Sequence, residues 1–526
     1  MRQTIFFLLT IVGLIFPVNS KAQQKKNLLF IIVDQQRSDA LSFAGNKVLK
    51  TPNLDRLAKE GAYFRNAYTP MAVCGPARSS ILTGMTVENT GVNTNDKTYF
   101  YDKEPVMTSL TFDEILAKNG YHSEYYGKWH SMTNHTKVYK NPKKVASNGK
   151  SMFEHGGQSH MYADYLNKNY PKRKLKKGEH LDKFTNRAYI PNQMDINYNL
   201  EYQHSDNKQS QPNYHGKSLI PKEHTLTAYQ AKQTINAIER LKDKPFNITV
   251  SFHFPHAPMI VSEPYYSKYP AKDMEPPVSI NDSMKNNPYS NANGRKQLTS
   301  FADKEKIKHM ISEYYGLISE LDDWLGKIFK KLDEEGVAEN TLIIYTSDHG
   351  EMLGAHGMRE KNVFYEESSH IPLIIKDPQS IKPKTRVDGY VSTIDLFSTI
   401  LDYLKIEGTY PSDGKSLRGL IEGTDRKHGK YVVTEWDYRG DVSPNYMIVK
   451  DGWKMYIPKT STSNVIDVLY NLKEDPYEMN NLLGNNPDRF KYQEKVEELR
   501  SDLLEWLKKN KSKNYQGVKD RIIVKS

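Results

Sequence analysis

The sequence predicts an α/β fold, in which a large, doubly wound, mainly parallel sheet flanked by helices precedes a smaller α+β subdomain. Continuous apolar runs recur along the chain, and such runs are typical of parallel strands buried on both faces. Amphipathic helical patterns separate these runs, and this alternation is typical of a doubly wound sheet. Polar residues directly follow two of the runs, where ligands collect in folds of this kind. The chain of 526 residues is long enough for both parts.

The individual elements follow from these patterns. Four apolar runs predict parallel strands of the main sheet, at residues 28–33, 247–252, 342–345 and 372–375. Helical patterns cover residues 53–61, 110–119, 226–241 and 306–335. We assign these segments to a main domain at residues 23–410. The pattern of apolar and polar residues then changes, and a subdomain is predicted at 411–526. Its predicted elements are a strand near 431–433, a hairpin over 446–449 and 453–457 and a helix near 493–509.

The first residues predict a signal peptide, which we assign to residues 1–22. Arg2 precedes a short apolar run at 5–16, and Ser20-Lys21-Ala22 is a small-residue cleavage pattern. The alternative is a membrane anchor, but the run is too short to span a bilayer comfortably and no later stretch is apolar enough. We therefore expect an exported protein, periplasmic or secreted, without a stable membrane anchor.

The chain is basic, with 74 Lys and Arg residues, 63 acidic residues and a formal net charge of +11. Residues 1–22 contain Arg2 and Lys21 and no acid, so 11 − 2 leaves +9 after cleavage. A basic surface favours polyanions by electrostatic steering, but a Lys-rich solvated surface gives the same count. The densest run of basic residues is 172–177, within a polar insertion predicted at about 140–220. It has the same two interpretations, a polyanion-binding segment or a solvated surface. Nucleic acid is not expected as a partner, because no recognition motif is present.

Cys74 is the only cysteine, so it cannot form an internal disulfide. Taken alone, such a residue is typical of an inert core position. Its surroundings favour a functional role. Pro76 fits the first turn of a helix, which puts Cys74 at a helix N-terminus, where free backbone N–H groups favour an anion. Arg78, four residues on and near the same face, adds a positive charge.

Three segments carry a resemblance to a known family. Cys74-Gly75-Pro76-Ala77-Arg78, followed by Thr83-Gly84, resembles the modification signature of the type I, formylglycine-dependent sulfatases of the alkaline phosphatase-like superfamily. Residues 120–130 (GYHSEYYGKWH) and 469–476 (LYNLKEDP) are similar to that family's second and C-terminal signatures. The resemblance covers nearly the whole mature chain. It implies an alkaline phosphatase-like fold, with residues 23–410 as the catalytic sulfatase domain.

At Cys74 the resemblance implies oxidation to formylglycine (3-oxoalanine). A formylglycine-generating enzyme or an anaerobic sulfatase-maturating enzyme would be the partner for this step. The hydrated aldehyde would then be the nucleophile: one hydroxyl attacks the sulfate sulfur and releases the alcohol, and the second expels sulfate. An unmodified thiol would lack the second hydroxyl.

Five further residues match catalytic positions of the family. The resemblance implies that Lys128 and Lys361 hold sulfate oxygens and that Arg78 adds positive charge to the site. It implies that His130 lies near the diol and that His256 lies near the leaving alcohol. Two other histidines, His253 and His356, are expected to be structural.

Two oxygen-rich turns, Asp34-Gln35 and Asp348-His349, follow separate predicted strands. Hard oxygen ligands suit Ca²⁺ or Mg²⁺, and an imidazole also suits Mn²⁺ or Zn²⁺. The resemblance implies one Ca²⁺ per chain, with Mg²⁺ or Mn²⁺ as alternatives, bound by Asp34, Gln35, Asp348, His349 and the modified Cys74. Gln35 departs from the pattern, since many members carry Asp there. The ligand set therefore has one negative charge fewer.

Three functions remain open at this point. The first is hydrolysis of sulfate esters on a sulfated polysaccharide or oligosaccharide, such as the algal glycan ulvan or a glycosaminoglycan. The second is a phosphodiesterase or phosphonate monoester hydrolase of the same superfamily, in which the Asp-Gln turn at 34–35 also occurs. The third is a non-catalytic polyanion-binding protein. The complete set of matched residues favours an enzyme.

Overall fold

The structure is a computed structural model that describes residues 25–95, 107, 109–131, 160–182, 185–192, 215–289, 303–425, 427–437 and 444–524. The predicted signal peptide at 1–22 and parts of the insertion predicted at 140–220 lie outside these residues. In the described chain, no helix combines the length and the apolar character needed to cross a membrane.

The strands, in chain order, are β1 (Asn27–Asp34), β2 (Ala62–Tyr68), β3 (His122–Gly127), β4 (His180–Leu181), β5 (Ala188–Pro191), β6 (His215–Ser218), β7 (Phe246–Pro255), β8 (Met259–Val261), β9 (Thr341–Ser347), β10 (Leu373–Lys376), β11 (Thr385–Ser392), β12 (Val432–Glu435), β13 (Tyr446–Lys450), β14 (Trp453–Ile457) and β15 (Val468–Asn471). The α-helices are α1 (Pro52–Glu60), α2 (Cys74–Thr83), α3 (Val87–Thr90), α4 (Phe112–Lys118), α5 (His160–Asn169), α6 (Leu226–Leu241), α7 (Tyr265–Lys268), α8 (Lys304–Glu334), α9 (Glu366–Ser369), α10 (Asp395–Tyr403), α11 (Arg418–Ile421), α12 (Gln493–Lys509) and α13 (Tyr515–Lys519).

Within the described chain, the main sheet has seven strands in the order β11-β2-β10-β9-β1-β7-β3. Neighbouring strands pair in parallel except at β10, which runs antiparallel to β9 and to β2. The predicted mainly parallel sheet is therefore confirmed. The parallel direction predicted for the strand at 372–375 is wrong, because a continuous apolar run indicates burial on both faces and carries no information about direction.

Helices cover both faces of the main sheet. α8 packs against α1 and α6, while α2, α4 and α10 pack against one another as a second group. β1 lies at the centre and is buried along its whole length, as its unbroken apolar sequence predicts. The four predicted helices are all present, as α1, α4, α6 and α8. These layers form the core and fix the strand ends that carry the polar residues.

Among the described residues, two smaller sheets accompany the main one. β12-β13-β14-β15 is antiparallel, and the buried leucines Leu499, Leu503 and Leu507 of α12 pack on it. This arrangement confirms the predicted hairpin, C-terminal helix and α+β subdomain, whereas the boundary at residue 410 stays a prediction. The other sheet, β4-β5-β6-β8, joins part of the predicted polar insertion to β8, beside the end of β7. Its strands have only two to four residues each and were not predicted.

A buried lysine connects the subdomain to the main domain. Lys454 lies on β14 with its side chain fully buried. Its ammonium lies 2.8 Å from a carboxylate oxygen of Glu366, at the start of α9, and 2.9 Å from one of Glu478. Buried charges are stable only when they are paired and hydrogen-bonded, so the two acids depend on this ammonium.

We predict that Lys454→Ala lowers the free energy of unfolding by about 3–5 kcal/mol, because it leaves the buried carboxylate of Glu478 without a cation and the half-buried Glu366 with His370 alone. Urea denaturation of the purified protein measures the change. Lys491→Ala is the matched control: Lys491 forms an exposed pair with Asp488, and its loss should change stability by about 0.5 kcal/mol or less. Equal effects of the two substitutions would contradict the prediction.

Candidate active site

Two buried carboxylates lie side by side at the carboxyl edge of the main sheet. Asp34 ends β1, and Asp348 follows β9, its parallel neighbour, in which Ser347 is aligned with Val33. The backbone N–H of Asp348 donates to the carbonyl of Val33 over 3.2 Å, which holds the two strand ends together. Neither carboxylate is exposed. The predicted proximity of the two strand ends is thus present in the fold.

Arg78 bridges these acids. Its Nε donates to Oδ2 of Asp348 over 2.7 Å, and an Nη lies 3.3 Å from Oδ2 of Asp34. The other Nη donates to Ser251 Oγ at 2.7 Å, on β7. Burial would raise the pKa of Asp34, but Lys128 and Arg78 outweigh this effect and hold that pKa well below its usual range. The charge of Asp34 is therefore retained in the buried site.

Cys74 is the first residue of α2, as predicted from Pro76, and it is buried. The N–H of Gly75 in this first turn donates to Asn95 Oδ1 over 2.9 Å. Burial and the nearby Asp34 oppose ionisation of the thiol, yet Lys128 and Lys361 lower the pKa of Cys74 below its usual value. The helix start and the cations thus favour a negative charge at this position.

Four of the predicted metal ligands converge. One ligand atom each from Asp34, Cys74, Asp348 and His349 lie within 4.8 Å of one another, and all four residues are buried. The Sγ of Cys74 lies 3.0 Å from Nε2 of His349. Nδ1 of His349 lies 2.9 Å from the carbonyl of Gly350 and donates to it, so Nε2 is the ring nitrogen that faces the cluster. Two carboxylates and an oriented imidazole fit a divalent cation.

Gln35 borders this cluster with an unusual backbone conformation, at φ 69°. Its N–H donates to Oδ1 of Asp348 over 3.1 Å. Its side-chain Oε1 accepts from the ammonium of Lys361 over 2.9 Å, and its Nε2 donates to the carboxylate of Glu351. The amide oxygen therefore faces the cationic side of the site, where it has a second lone pair.

The predicted lysines and histidines surround the same cluster. Lys128 forms an ion pair with Asp34. The ammonium of Lys361 donates to Nε2 of His256 over 3.1 Å, and Nδ1 of His256 donates to the carbonyl of Ala257. Burial and Lys361 lower the pKa of His256 well below its usual value. In this arrangement His256 is neutral, and its Nε2 is within reach of an ammonium proton.

His130 is buried on the turn that follows β3. Burial lowers its pKa well below the usual value, and Lys128 and Arg78 act in the same direction. The neighbouring Ser131 contacts Ser79 of α2, with 3.2 Å between the two hydroxyl oxygens. The turn that carries His130 thus packs against α2, and the imidazole is neutral, which is the state that a general base requires.

Sequence reasoning missed two side chains of the site. Ser251, at the end of the predicted strand 247–252, positions Arg78. Glu351, three residues after Asp348, receives the amide of Gln35. Its position three residues after Asp348 indicates nearness to the site, but it does not indicate a role there. His253, expected to be structural, lies with its ring 5.2 Å from that of His256, and burial and Lys128 lower its pKa to about 3.

Comparison with known proteins agrees with this geometry. The sulfatase family model matches residues 26–406, and the model of the N-sulphoglucosamine sulphohydrolase C-terminal region matches residues 354–509. An arylsulfatase of Clostridium perfringens is 28% identical over 92% of this chain and 94% of its own length. An N-acetylglucosamine-6-O-sulfatase of Bacteroides thetaiotaomicron is 27% identical over 95% and 89% of the two chains.

Among solved structures, the phosphonate monoester hydrolase of Agrobacterium radiobacter has a TM-score of 0.68 and 23% identity. The likeness covers 91% of this chain and 96% of that one, and it supports the fold. The sulfatase family model, in contrast, spans most of the chain and includes every residue of the cluster. The chain belongs to the sulfatase family and is a sulfuric ester hydrolase of alkaline phosphatase-like fold.

Proposed function

We propose that the chain hydrolyses sulfate esters on a sulfated polysaccharide or oligosaccharide, with residue 74 as formylglycine and one divalent metal ion. The observation that carries the proposal is the convergence of Asp34, Cys74, Asp348 and His349 at the start of α2. Cationic side chains surround this cluster, as a group-transfer reaction of an anion requires. Without the cations, the buried acids would repel a sulfate ester.

The metal would be held by Asp34, Gln35, Asp348, His349 and the modified residue 74. Ca²⁺ suits the oxygen-rich set best, and Mg²⁺ or Mn²⁺ are the alternatives. When bound, the ion would act as a Lewis acid that neutralises the sulfate and lowers the pKa of the nucleophilic hydroxyl. Asp34 and Asp348 supply the charge for it, and the hydrogen bond at Nδ1 of His349 orients the imidazole.

The remaining side chains have roles that follow from their contacts. Lys128 and Lys361 bind the sulfate oxygens and stabilise the charge of the transferring group. His130, buried and neutral, orients and deprotonates the nucleophilic hydroxyl. His256 accepts a hydrogen bond from Lys361, so a proton can reach the leaving alcohol through this pair. Arg78 keeps the acids charged while a substrate enters.

Residue 74 requires modification for this chemistry. Oxidised to formylglycine and hydrated, it would supply the oxygen nucleophile and the second hydroxyl that releases sulfate. A formylglycine-generating or an anaerobic sulfatase-maturating enzyme is the partner for this step, and it would act on the chain before export. The signature from Cys74 to Gly84 is the region such an enzyme would read.

The carbohydrate substrate is supported by the relative named N-acetylglucosamine-6-O-sulfatase. An algal glycan such as ulvan and host glycosaminoglycans are the two candidate classes. A panel of defined sulfated oligosaccharides, scored by sulfate release, identifies the sugar and the sulfate position. An exported enzyme would meet both classes in the periplasm or outside the cell.

A phosphodiesterase or phosphonate monoester hydrolase is the second candidate. Gln35 and the likeness to a phosphonate monoester hydrolase favour it. Assays on a sulfate ester and on a phosphate diester of the same phenol compare the two functions directly. A higher kcat/KM for the sulfate ester supports the proposal, and a clear preference for the phosphate diester overturns it.

We predict that Cys74→Ala lowers kcat by more than about 10⁴-fold, because loss of a catalytic nucleophile has this scale in other hydrolases. The fold should persist, since the side chain is small and lies at a helix start, and circular dichroism checks this. In material from the native host, the tryptic peptide 66–78 should contain one oxygen more, and one sulfur and two hydrogens fewer, than the peptide with an unmodified cysteine. Full turnover by the variant would refute the mechanism.

Metal removal gives a separate prediction. Chelation should abolish turnover and lower the Tm, because an ion that binds only the folded state stabilises it. Added Ca²⁺ should restore both the activity and the Tm. Restoration by Zn²⁺ or Mn²⁺ alone would show that the proposed metal is wrong.

A further inference from the structure

Glu351 is a buried acid that no step of the proposed reaction uses. Its side chain is 1% exposed and lies behind Gln35, at the edge of the metal cluster. One oxygen accepts the backbone N–H groups of Leu353 at 3.0 Å and Glu360 at 2.5 Å. The other oxygen accepts Nε2 of Gln35. Among the described contacts, its two oxygens thus receive three N–H donors, from Leu353, Glu360 and Gln35.

The side chain of Gln35 is thereby held at both ends. An amide has an acceptor end and a donor end, and the partners determine which end points where. The ammonium of Lys361 can only donate, so it requires the oxygen of Gln35. The carboxylate of Glu351 can only accept, so it requires the NH₂ group. Both contacts select the same orientation.

We propose that Glu351 is a positioning residue for metal binding: it fixes the orientation of the Gln35 amide so that Oε1, and not the NH₂ group, is presented to the cation. The inference rests on the metal site of the proposed function. It also gives the neutral ligand a nearby negative charge.

Glu351→Gln tests this orientation with almost no change in size. The new amide must keep its oxygen on the N–H groups of Leu353 and Glu360, because an NH₂ group there would face two donors. Its own NH₂ group then faces Gln35, which must turn its oxygen away from the cation. A donor would point at the metal and at Lys361. We expect the affinity for Ca²⁺ to fall about 10–100-fold, as for other substitutions behind a metal ligand.

A double variant that exchanges the side chains at positions 35 and 351 distinguishes positioning of the metal ligand from a general effect on the stability of the protein. In Gln35→Glu/Glu351→Gln, residue 35 is a carboxylate with two equivalent acceptor oxygens, so one can accept from the amide introduced at position 351 while the other faces the ion. The double variant should therefore regain Ca²⁺ affinity relative to Glu351→Gln by at least about tenfold. If the two substitutions change the free energy of Ca²⁺ binding by amounts that simply add, the proposal is overturned, because additive changes are typical of independent sites.

The readout is calorimetric titration of CaCl₂ into the mature, chelator-treated enzyme. Glu320→Gln is the matched control: Glu320 is equally buried, but its carboxylate accepts from the hydroxyl of Thr225, and it lies outside the cluster. This control should bind Ca²⁺ like the unaltered enzyme. Wild-type affinity in Glu351→Gln, or no recovery in the double variant, would overturn the proposal.

Gln35→Ala separates this inference from the function on which it rests. It should bind Ca²⁺ more weakly than the unaltered enzyme, and unchanged binding would show that Gln35 is not a ligand and overturn the inference. Sulfate release by the unaltered enzyme is a separate measurement. Its absence would refute the proposed substrate without changing the titrations.

Discussion

The guanidinium of Arg78 is the interaction on which the site depends. Two carboxylates, those of Asp34 and Asp348, are buried side by side, and two adjacent acids without a cation would not both stay ionised. Arg78 contacts both of them, and it lies one helical turn after Cys74 on α2. The same contact that keeps the acids charged therefore docks the start of α2 against the strand ends. The ionisation of the two acids and the placement of Cys74 thus depend on the same contacts of Arg78.

The parallel sheet explains why these groups meet. β1 and β9 are neighbours in register, so their carboxyl ends lie at the same edge, and each contributes one acid. β7, on the other side of β1, contributes Ser251, which holds Arg78 in place. Side chains that are far apart in the sequence thus become neighbours without long loops between them. This is the general reason why sites form beyond the carboxyl ends of parallel strands.

Much of this arrangement is predictable from the sequence, for identifiable reasons. The strands at 28–33, 247–252 and 342–345 are buried on both faces, so their apolar runs are unbroken. β2 and β3 contain polar residues, and the three-residue strand β8 gives no periodic signal. The direction of β10 depends on its connections, which a local pattern does not encode.

The residues of the site also divide into those that the sequence predicts and those that it does not. The residues that carry chemistry belong to compact motifs, and the cluster at Asp34, Cys74, Asp348 and His349 could be predicted from them. Glu351 and Ser251 could not, because their roles follow from what they contact in three dimensions. A buried carboxylate behind a neutral ligand has no signature in one sequence. The role of Glu351 becomes apparent only when the hydrogen bonds at both ends of the Gln35 amide are known.

Charge balance explains why sulfate and phosphate chemistry are so close in this fold. Three cations, Arg78, Lys128 and Lys361, face three acids, Asp34, Asp348 and Glu351, so the formal side-chain charges cancel. A divalent ion would then leave the site positive. A sulfate monoester and a phosphate diester each bring one negative charge, and each offers two oxygens to two lysines. Charge alone therefore does not separate them. The difference is the third group on the central atom, an oxygen in one and an ester in the other, so selectivity must come from the space and the donors at that single position.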